Sequence, residues 1–137
     1  MSKVLVSACL LGRNCKYNGG NNYSEAVAAF LEGKEVIPVC PEVLAGLGVP
    51  RVPMELVDGV AVNRDGLRVH EALLAAVDGI VAQLEDVECA VLKSRSPTCG
   101  VKQIYDGSFS GTLIDGAGLL AQALMDAGCR VLDSEDV

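Results

Sequence analysis

The sequence has no tryptophan, two phenylalanines, three tyrosines and one histidine in 137 residues. With so few aromatic side chains, the chain offers few surfaces on which the bases of single-stranded nucleic acids stack. Positive charge is also scarce, since 11 Lys and Arg residues stand against 18 Asp and Glu residues, for a net charge of −7. An acidic chain repels phosphate backbones, so we expect no nucleic-acid partner for this chain alone, although a local basic patch stays open.

Long hydrophobic runs are missing as well, although half of the residues are hydrophobic. No run approaches the roughly 20 apolar residues that a membrane helix needs. Residues 1–11 are too short, and too soon interrupted at Gly12, for a secretory signal. We therefore expect no membrane partner and a cytoplasmic location. The length fits one core, and we predict a single domain over residues 1–137.

Cysteine is the residue type that stands out, with six in this short chain. The cytosol keeps thiols reduced, which argues against a disulfide framework. No pair of cysteines is separated by only two residues, so the spacing matches neither a zinc ribbon nor a ferredoxin. Metal or redox chemistry of another kind is the better expectation.

Hydrophobic patterning predicts an α/β fold in which a mainly parallel sheet is flanked by helices, a Rossmann-like three-layer arrangement. A strand, a helix and a second strand in sequence indicate a right-handed crossover between parallel strands. The predicted strands are 3–7, 36–39, 89–92 and 130–132, and the predicted helices run from Ser24 to Gly33, from residue 70 to about 86, and from Asp115 to Gly128.

Less regular segments separate these elements. Residues 9–23, 40–56 and the long segment up to Gly111 are predicted as loops, because they are rich in Gly, Pro and Asn. Within residues 60–69, the residues 63–66 predict the turn of a small hairpin. Asp115 is the expected cap of the last helix.

Three cysteines follow the predicted strands directly or in the next loop: Cys9, Cys40 and Cys99. Ligands of parallel α/β sheets bind beyond the carboxyl ends of the strands, so these thiols belong at one edge. Cys15 shares a loop with Cys9 and can reach the same place as a fourth ligand. On topology alone, the alternative interpretation is that the three thiols are merely buried apolar residues.

The remaining two cysteines, Cys89 and Cys129, lie at the beginnings of predicted strands. Their positions predict burial at the opposite edge of the sheet. We expect both to be ordinary small apolar residues.

Each of the three candidate cysteines lies in a dense local motif: SACLLG at 7–12, VCPE at 39–42 and KSRSPTCG at 93–100. YNGG at 17–20, PRVP at 50–53 and IYDGSFSG at 104–111 complete the pattern. Together these motifs resemble the DUF523 family, whose characterised members are 2-thiouracil desulfidases, over nearly the whole chain. One departure is AGL at 45–47, where the family usually reads Gly-Gly-Leu.

The resemblance implies a 4Fe-4S cluster bound by Cys9, Cys40 and Cys99, with the substrate sulfur taken by the fourth iron and replaced at carbon by water. The functional glutamate of the Cys-Pro-Glu element falls on Glu42. The functional serine, three residues before the last cysteine, falls on Ser96. Related sequences with Val in place of Cys15 favour a role for that residue outside the ligand set.

Hydrolysis of a thiocarbonyl needs a soft Lewis acid for the sulfur and a base close to the attacking water. Glu42 is two residues from Cys40, so it lies within one loop turn of such a centre. A solvated or helix-capping carboxylate is the alternative interpretation of Glu42. The Ser96 hydroxyl can donate or relay a proton to the departing sulfur or to a ring nitrogen.

Lys93, Arg95 and Arg51 are candidates for offsetting the negative charge of a cluster or for contacting a substrate. Each is also explained as a surface cation. His70, the only histidine, opens a predicted helix away from the cysteine motifs, so we expect it at the surface and outside the chemistry.

Three functions stay open at this point. The first is a non-redox iron-sulfur enzyme that converts 2-thiouracil and water to uracil and hydrogen sulfide, with a small thiolated base as its partner and a homodimer left open. The second keeps the enzyme but takes 2-thiouridine in tRNA. The third is a module without activity, in which the cysteines hold zinc or a cluster structurally or as a sensor.

Overall fold

A four-stranded parallel sheet forms the centre of this computed structural model, which describes residues 2–137. Its strands are β1 (Lys3–Ser7), β2 (Glu35–Val39), β5 (Val87–Leu92) and β8 (Val131–Asp133), in the order β2-β1-β5-β8. Leu5 lies opposite Ile37 on one side and Ala90 on the other. The predicted parallel sheet is therefore confirmed.

Helices cover both faces of this sheet. Side chains alternate along β1, so Val4 and Val6 point to the same face of the sheet. There they pack against Val27 of α1 (Glu25–Phe30) and against Leu31, which directly follows this helix. Ser24 caps α1, because its Oγ accepts the N–H of Val27 at 3.2 Å. The other face packs against α3 (His70–Val81) and α4 (Leu119–Asp126). The predicted three-layer α/β fold is confirmed.

Two antiparallel hairpins and a short helix complete the structure. One hairpin pairs β3 (Met54–Val57) with β4 (Val60–Asn63), and the other pairs β6 (Gln103–Tyr105) with β7 (Leu113–Asp115). The short helix is α2 (Pro41–Leu44). Leu56, Ala61 and Ile104 from the two hairpins pack with Leu73 of α3 in a small core of their own. The hairpins are thereby anchored beside the central sheet.

The prediction of a hairpin within residues 60–69 was right about the turn but wrong about the main partner of β4. The ladder joins β3 to β4 around Asp58 and Gly59, a dipeptide that favours a two-residue hairpin turn. Residues 63–66 do form a turn, since Gly66 N–H donates to the carbonyl of Asn63 at 2.9 Å. Across that turn, Val62 and Arg68 form an antiparallel bridge. It is flanked by hydrogen bonds from Asn63 N–H to the Leu67 carbonyl at 2.9 Å and from Val69 N–H to the Ala61 carbonyl at 3.0 Å, so a small hairpin is present here as well.

The predicted cap at Asp115 was also wrong. Asp115 is the last residue of β7, and Gly118 is the residue before α4, which has no side-chain cap. The helix predicted up to about residue 86 ends at Val81. The loops predicted at 40–56 and up to residue 111 contain α2, the start of β3, and β6, and residues 8–11 form a short 3-10 helix. These elements have three or four residues each, too few to show a periodicity.

Within residues 2–137, none of the helices has the length and apolar character that crossing a membrane requires.

Candidate active site

A cavity of about 490 Å³ opens at the carboxyl edge of the sheet. Its lining includes all five candidate site residues: Cys9, Cys40, Glu42, Ser96 and Cys99. They come from the segments after β1, β2 and β5, neighbouring parallel strands whose carboxyl ends meet at this edge. The structure brings together the residues that the sequence placed there, and their roles stay predictions.

Cys9 lies two residues beyond the end of β1, in the 3-10 helix at 8–11. Its carbonyl accepts N–H groups from Gly12 at 3.2 Å and from Asn22 at 2.9 Å. Gly12 and Asn22 are the two ends of the loop that contains Cys15, so both ends of this loop are hydrogen-bonded to the same carbonyl oxygen. These two hydrogen bonds fix the loop beside the cavity, which Cys15 lines.

Cys40 directly follows β2 and is the residue that precedes α2. Its carbonyl accepts the N–H of Leu44 at 3.0 Å, and Pro41 occupies the first helical position, where a missing N–H costs nothing. The tight turn directs Glu42 inward, and that side chain is only 7% exposed. The Cys40 Sγ lies 3.7 Å from Oε2 of Glu42.

Backbone hydrogen bonds from the first residues of α4 fix the loop that carries Cys99. The first N–H groups of a helix lack partners inside the helix. Here Leu119 N–H donates to the carbonyl of Pro97 at 3.1 Å, and Leu120 N–H donates to that of Thr98 at 2.8 Å. A Cβ on Gly118 would stand 2.6 Å from the Thr98 carbonyl oxygen, so only glycine permits this approach.

Glu42, Thr98 and Ser96 form a continuous hydrogen-bond chain. The fully buried Thr98 hydroxyl donates to Oε1 of Glu42 at 2.8 Å, which leaves the Ser96 hydroxyl to donate to Thr98 Oγ1 at 3.2 Å. Ser96 Oγ in turn accepts the N–H groups of Thr98 at 3.2 Å and Cys99 at 3.1 Å. The two predicted catalytic residues are thus joined through a third residue that the sequence analysis did not single out.

Burial raises the pKa of all three candidate thiols. For Cys99, burial and then the charge of Glu42 raise the pKa to about 12, although a hydrogen bond from Ser7 opposes this shift. Burial also raises the pKa of Cys9 and, followed by the charge of Glu42, that of Cys40. All three are free thiols. They ionise at neutral pH only when a cation compensates for the lost hydration.

The donor set is of the chemical kind that holds an iron-sulfur cluster. Across residues 2–137, no three His, Cys, Asp or Glu side chains converge closely enough to hold one metal ion. In a 4Fe-4S cluster each thiolate binds a different iron, so its ligands lie farther apart than those of a mononuclear site. Three soft thiol donors line this one cavity, and Cys9, Cys40 and Cys99 are the residues that would hold such a group.

The other cysteines separate into two groups. Cys15 lines the cavity, and its backbone carbonyl lies 3.9 Å from the Cys40 Sγ. Cys89 is 1% exposed inside β5, as predicted for an apolar residue. Cys129 is less buried than predicted. It precedes β8, which is an edge strand of the sheet, and it is partly exposed.

Basic side chains gather around the cavity although the chain is acidic. Five of the 11 Lys and Arg residues line it: Lys16, Arg51, Arg64, Lys93 and Arg95. Burial, followed by the charge of Arg95, lowers the pKa of Lys93. Arg95 also pairs with Glu135 at 2.9 Å. Lys93, Arg95 and Arg51 are therefore positioned to offset negative charge inside the cavity.

His70 lies outside the cavity lining. It is partly buried rather than fully at the surface, and its Nδ1 accepts the N–H of Ala61 at 3.2 Å. That contact joins the beginning of α3 to β4, which is a structural role.

Comparison with known proteins agrees with this geometry. Residues 4–136 match the sequence profile of the 2-thiouracil desulfurase family. The chain belongs to the 2-thiouracil desulfurase family. The resemblance to the DUF523 family is confirmed, and the matched range contains every candidate site residue.

Two relatives of this family member cover nearly its full length. The uncharacterized protein YbbK of Bacillus subtilis (strain 168) is 34% identical over 146 residues, which cover 98% of this chain and 97% of YbbK. The solved structure of the 4Fe-4S-dependent thiouracil desulfidase TudS superimposes with a TM-score of 0.92 at 30% identity, covering 100% of this chain and 93% of TudS. Family and fold both support an enzyme.

Proposed function

We propose that this chain is a desulfidase that hydrolyses a thiolated pyrimidine, converting 2-thiouracil and water to uracil and hydrogen sulfide. The observation that carries the proposal is the convergence of three thiols and the Glu42–Thr98–Ser96 chain on one cavity. Membership of the 2-thiouracil desulfurase family and the likeness to TudS support it. The thiol-rich cavity also favours a reducing cytoplasm as the location.

Cys9, Cys40 and Cys99 are the proposed ligands of a 4Fe-4S cluster. When bound, such a cluster supplies a thiophilic iron that accepts the sulfur of the substrate. Three protein thiolates would leave one coordination position of such a cluster for a substrate. Lys93 and Arg51, which line the same cavity, offset the negative charge that accumulates there.

Glu42 is the proposed base for the attacking water. Its Oε1 is engaged by the Thr98 hydroxyl, and its Oε2 lies on the side of Cys40. Oε2 is therefore the oxygen that accepts a proton when water attacks the thiocarbonyl carbon. Because Glu42 is buried and the Thr98 hydroxyl fixes its Oε1, the carboxylate keeps this orientation.

Ser96 is the proposed donor to the departing sulfur. Two backbone N–H groups hold its Oγ, while its proton is shared with Thr98. As water attacks the carbon, it loses one proton to Oε2 of Glu42, and the C–S bond breaks as the new C=O bond forms. The sulfur takes that proton back from Glu42 and a second proton from the Ser96 hydroxyl, which turns away from Thr98 to donate and accepts the remaining proton of the water in exchange. The sulfur leaves as hydrogen sulfide with both protons of the water, and no electrons are exchanged with an external partner.

The test is anaerobic reconstitution followed by incubation with 2-thiouracil. Glu42→Gln should keep the iron content and the visible absorption of the wild type but lose sulfide release by at least about a hundredfold, the usual effect of removing a general base. Cys40→Ser should lose both properties. A Glu42→Gln variant with wild-type turnover, or iron-loaded wild type without turnover, would contradict the assignment.

The same experiment separates the alternatives. A structural or sensor module releases no sulfide from any variant, whatever its metal content. The five cations around the cavity are the one observation that favours 2-thiouridine in tRNA. Salt-dependent binding of tRNA by the wild type, together with desulfuration of the bound nucleoside, would replace the free base as the substrate.

A further inference from the structure

Aromatic side chains are concentrated in the cavity although the chain has only five of them. Tyr17, Tyr105 and Phe109 line it together with the three candidate ligands. Of the other two, Phe30 packs on the α1 face of the sheet, and Tyr23 is 57% exposed. Three of five aromatic residues around one cavity indicate a planar ligand.

Phe109 is held in a conformation that a non-glycine residue rarely adopts. Its φ is +58°, in the left-handed region. Such a backbone persists only where the surroundings hold it in place, and it is frequent at ligand sites. The restraint here comes from Glu55 of β3, whose Oε1 accepts the N–H groups of Gly107 at 2.9 Å and of Phe109 at 3.1 Å.

The loop that carries Phe109 also rests directly on β3. Gly107 has a φ of +93°, and a Cβ there would stand 2.7 Å from the carbonyl oxygen of Leu56. Within the loop, Oδ1 of Asp106 accepts the N–H of Ser108 at 2.9 Å. The position of the Phe109 ring is thus determined by contacts with a distant strand and not by its neighbours alone.

Arg64 approaches the same ring. Its guanidinium carbon lies 5.9 Å from the centroid of Phe109, within the range of a cation–π contact. Arg64 follows β4, so both strands of the first hairpin support the ring. Arg64 and Glu55 line the cavity beside Phe109, so all three side chains border the space that a ligand would occupy.

We propose that Phe109 is the side chain on which the pyrimidine ring stacks, and that Glu55 is the positioning residue that presents Phe109 to the cavity. This inference rests on the proposed function, because it takes the pyrimidine as the ligand. The face of the ring is the same in 2-thiouracil and uracil, so stacking is independent of the sulfur. Binding of substrate and binding of product should both depend on Phe109.

Substitutions of Phe109 test the stacking. Phe109→Leu should raise the KM for 2-thiouracil about tenfold and leave kcat within about twofold, since base–aromatic stacking is worth a few kcal/mol per base. Phe109→Tyr keeps the ring and should keep the KM. Tyr23→Leu removes an exposed aromatic residue outside the cavity and should behave as the wild type.

Substitutions of Glu55 test the positioning. Glu55→Ala should raise the KM in the same direction as Phe109→Leu, because the two N–H groups lose their acceptor. Glu55→Gln retains a side-chain oxygen that can accept both bonds and should rescue the KM. Hydrogen exchange at the amides of Gly107 and Phe109 should become faster in Glu55→Ala and remain slow in Glu55→Gln, independently of turnover.

Uracil binding measured by calorimetry on the cluster-loaded protein distinguishes failure of the inference from failure of the proposed function. Weaker uracil binding to Phe109→Leu supports stacking whether or not sulfide is released. An unchanged KM and unchanged uracil affinity in Phe109→Leu would overturn the inference while leaving the desulfidase proposal intact. Wild type that binds uracil but releases no sulfide would overturn the desulfidase proposal instead.

Discussion

The buried hydroxyl of Thr98 donates a 2.8 Å hydrogen bond to Oε1 of Glu42, 56 residues away along the chain. Thr98 directly precedes Cys99, and Glu42 follows Cys40 by two residues. The bond therefore joins the two loops that carry two of the candidate thiols. It also completes the hydrogen-bond chain from Ser96 to Glu42, so a single contact couples the geometry of the ligand loops to both proposed proton-transfer residues.

Removal of this hydroxyl should separate catalysis from cluster binding. Thr98→Val keeps the shape of the side chain but leaves Glu42 without its donor. We expect wild-type iron content, a loss of kcat of about tenfold or more, and a loss of stability of about 1–3 kcal/mol for the unsatisfied buried carboxylate. Steady-state kinetics and chemical denaturation measure these effects. Thr98→Ser should restore both, and equal kcat values for the Val variant and the wild type would contradict the role of Thr98.

The approach of α4 to the Cys99 loop predicts a specific effect at Gly118. Gly118→Ala places a Cβ against the backbone of Thr98, so the loop must move. We expect a loss of stability of about 1–3 kcal/mol and lower iron occupancy after reconstitution.

Gly79 provides the matched control for that substitution. It lies inside α3, and nothing lies within 4 Å of an added Cβ. Gly79→Ala should raise stability by about 0.5–1 kcal/mol through helix propensity and leave iron binding unchanged. If both variants show the same change in iron occupancy, the packing of α4 does not position Cys99.

Substitutions of the cysteines should fall into two groups, one that abolishes iron binding and one that leaves it unchanged. Cys9→Ser and Cys99→Ser should lose the visible absorption of the cluster, whereas Cys15→Val should keep it together with sulfide release. Cys89→Ala should keep the absorption and lose about 1 kcal/mol of stability, because Cys89 is a buried apolar residue of β5. Loss of the cluster in Cys15→Val would make Cys15 a fourth ligand and exclude an open position for substrate.

Much of the fold could be predicted from local patterns. Apolar strands such as β1 and β5, separated by helices with clear ends at Ser24 and Gly128, indicate a parallel α/β sheet. The topology then assigns residues that follow strands to one edge, which is how Cys9 and Cys40 were placed together. These inferences succeeded because they depend on hydrophobic periodicity and chain order alone.

Some missed elements carried a signal in the sequence. Asp58 and Gly59 between two mainly apolar tetrads indicate the β3–β4 hairpin. Pro41 followed by Glu42 is typical of a helix beginning. In both cases a neighbouring Gly- and Pro-rich segment made the region look irregular. Strands of three residues, such as β6 and β7, carry too little pattern to be recognised.

Other features could not be predicted, because they depend on contacts between distant segments. Gly118 replaces the expected cap Asp115, since the carbonyls of Pro97 and Thr98 take the role of a side-chain cap. Thr98 gains its importance only through Glu42, and Phe109 only through Glu55. No local pattern encodes such pairings, which appear once the loops are assembled at one edge.

Anaerobic reconstitution with iron and sulfide, followed by incubation with 2-thiouracil, tests the central claim most directly. The account predicts about four irons per chain in the wild type, a visible iron-sulfur absorption and release of one hydrogen sulfide for each uracil formed. Cys40→Ser, treated in parallel, should show neither the iron nor the product. Wild-type protein that binds no more iron than Cys40→Ser and releases no sulfide would contradict the account.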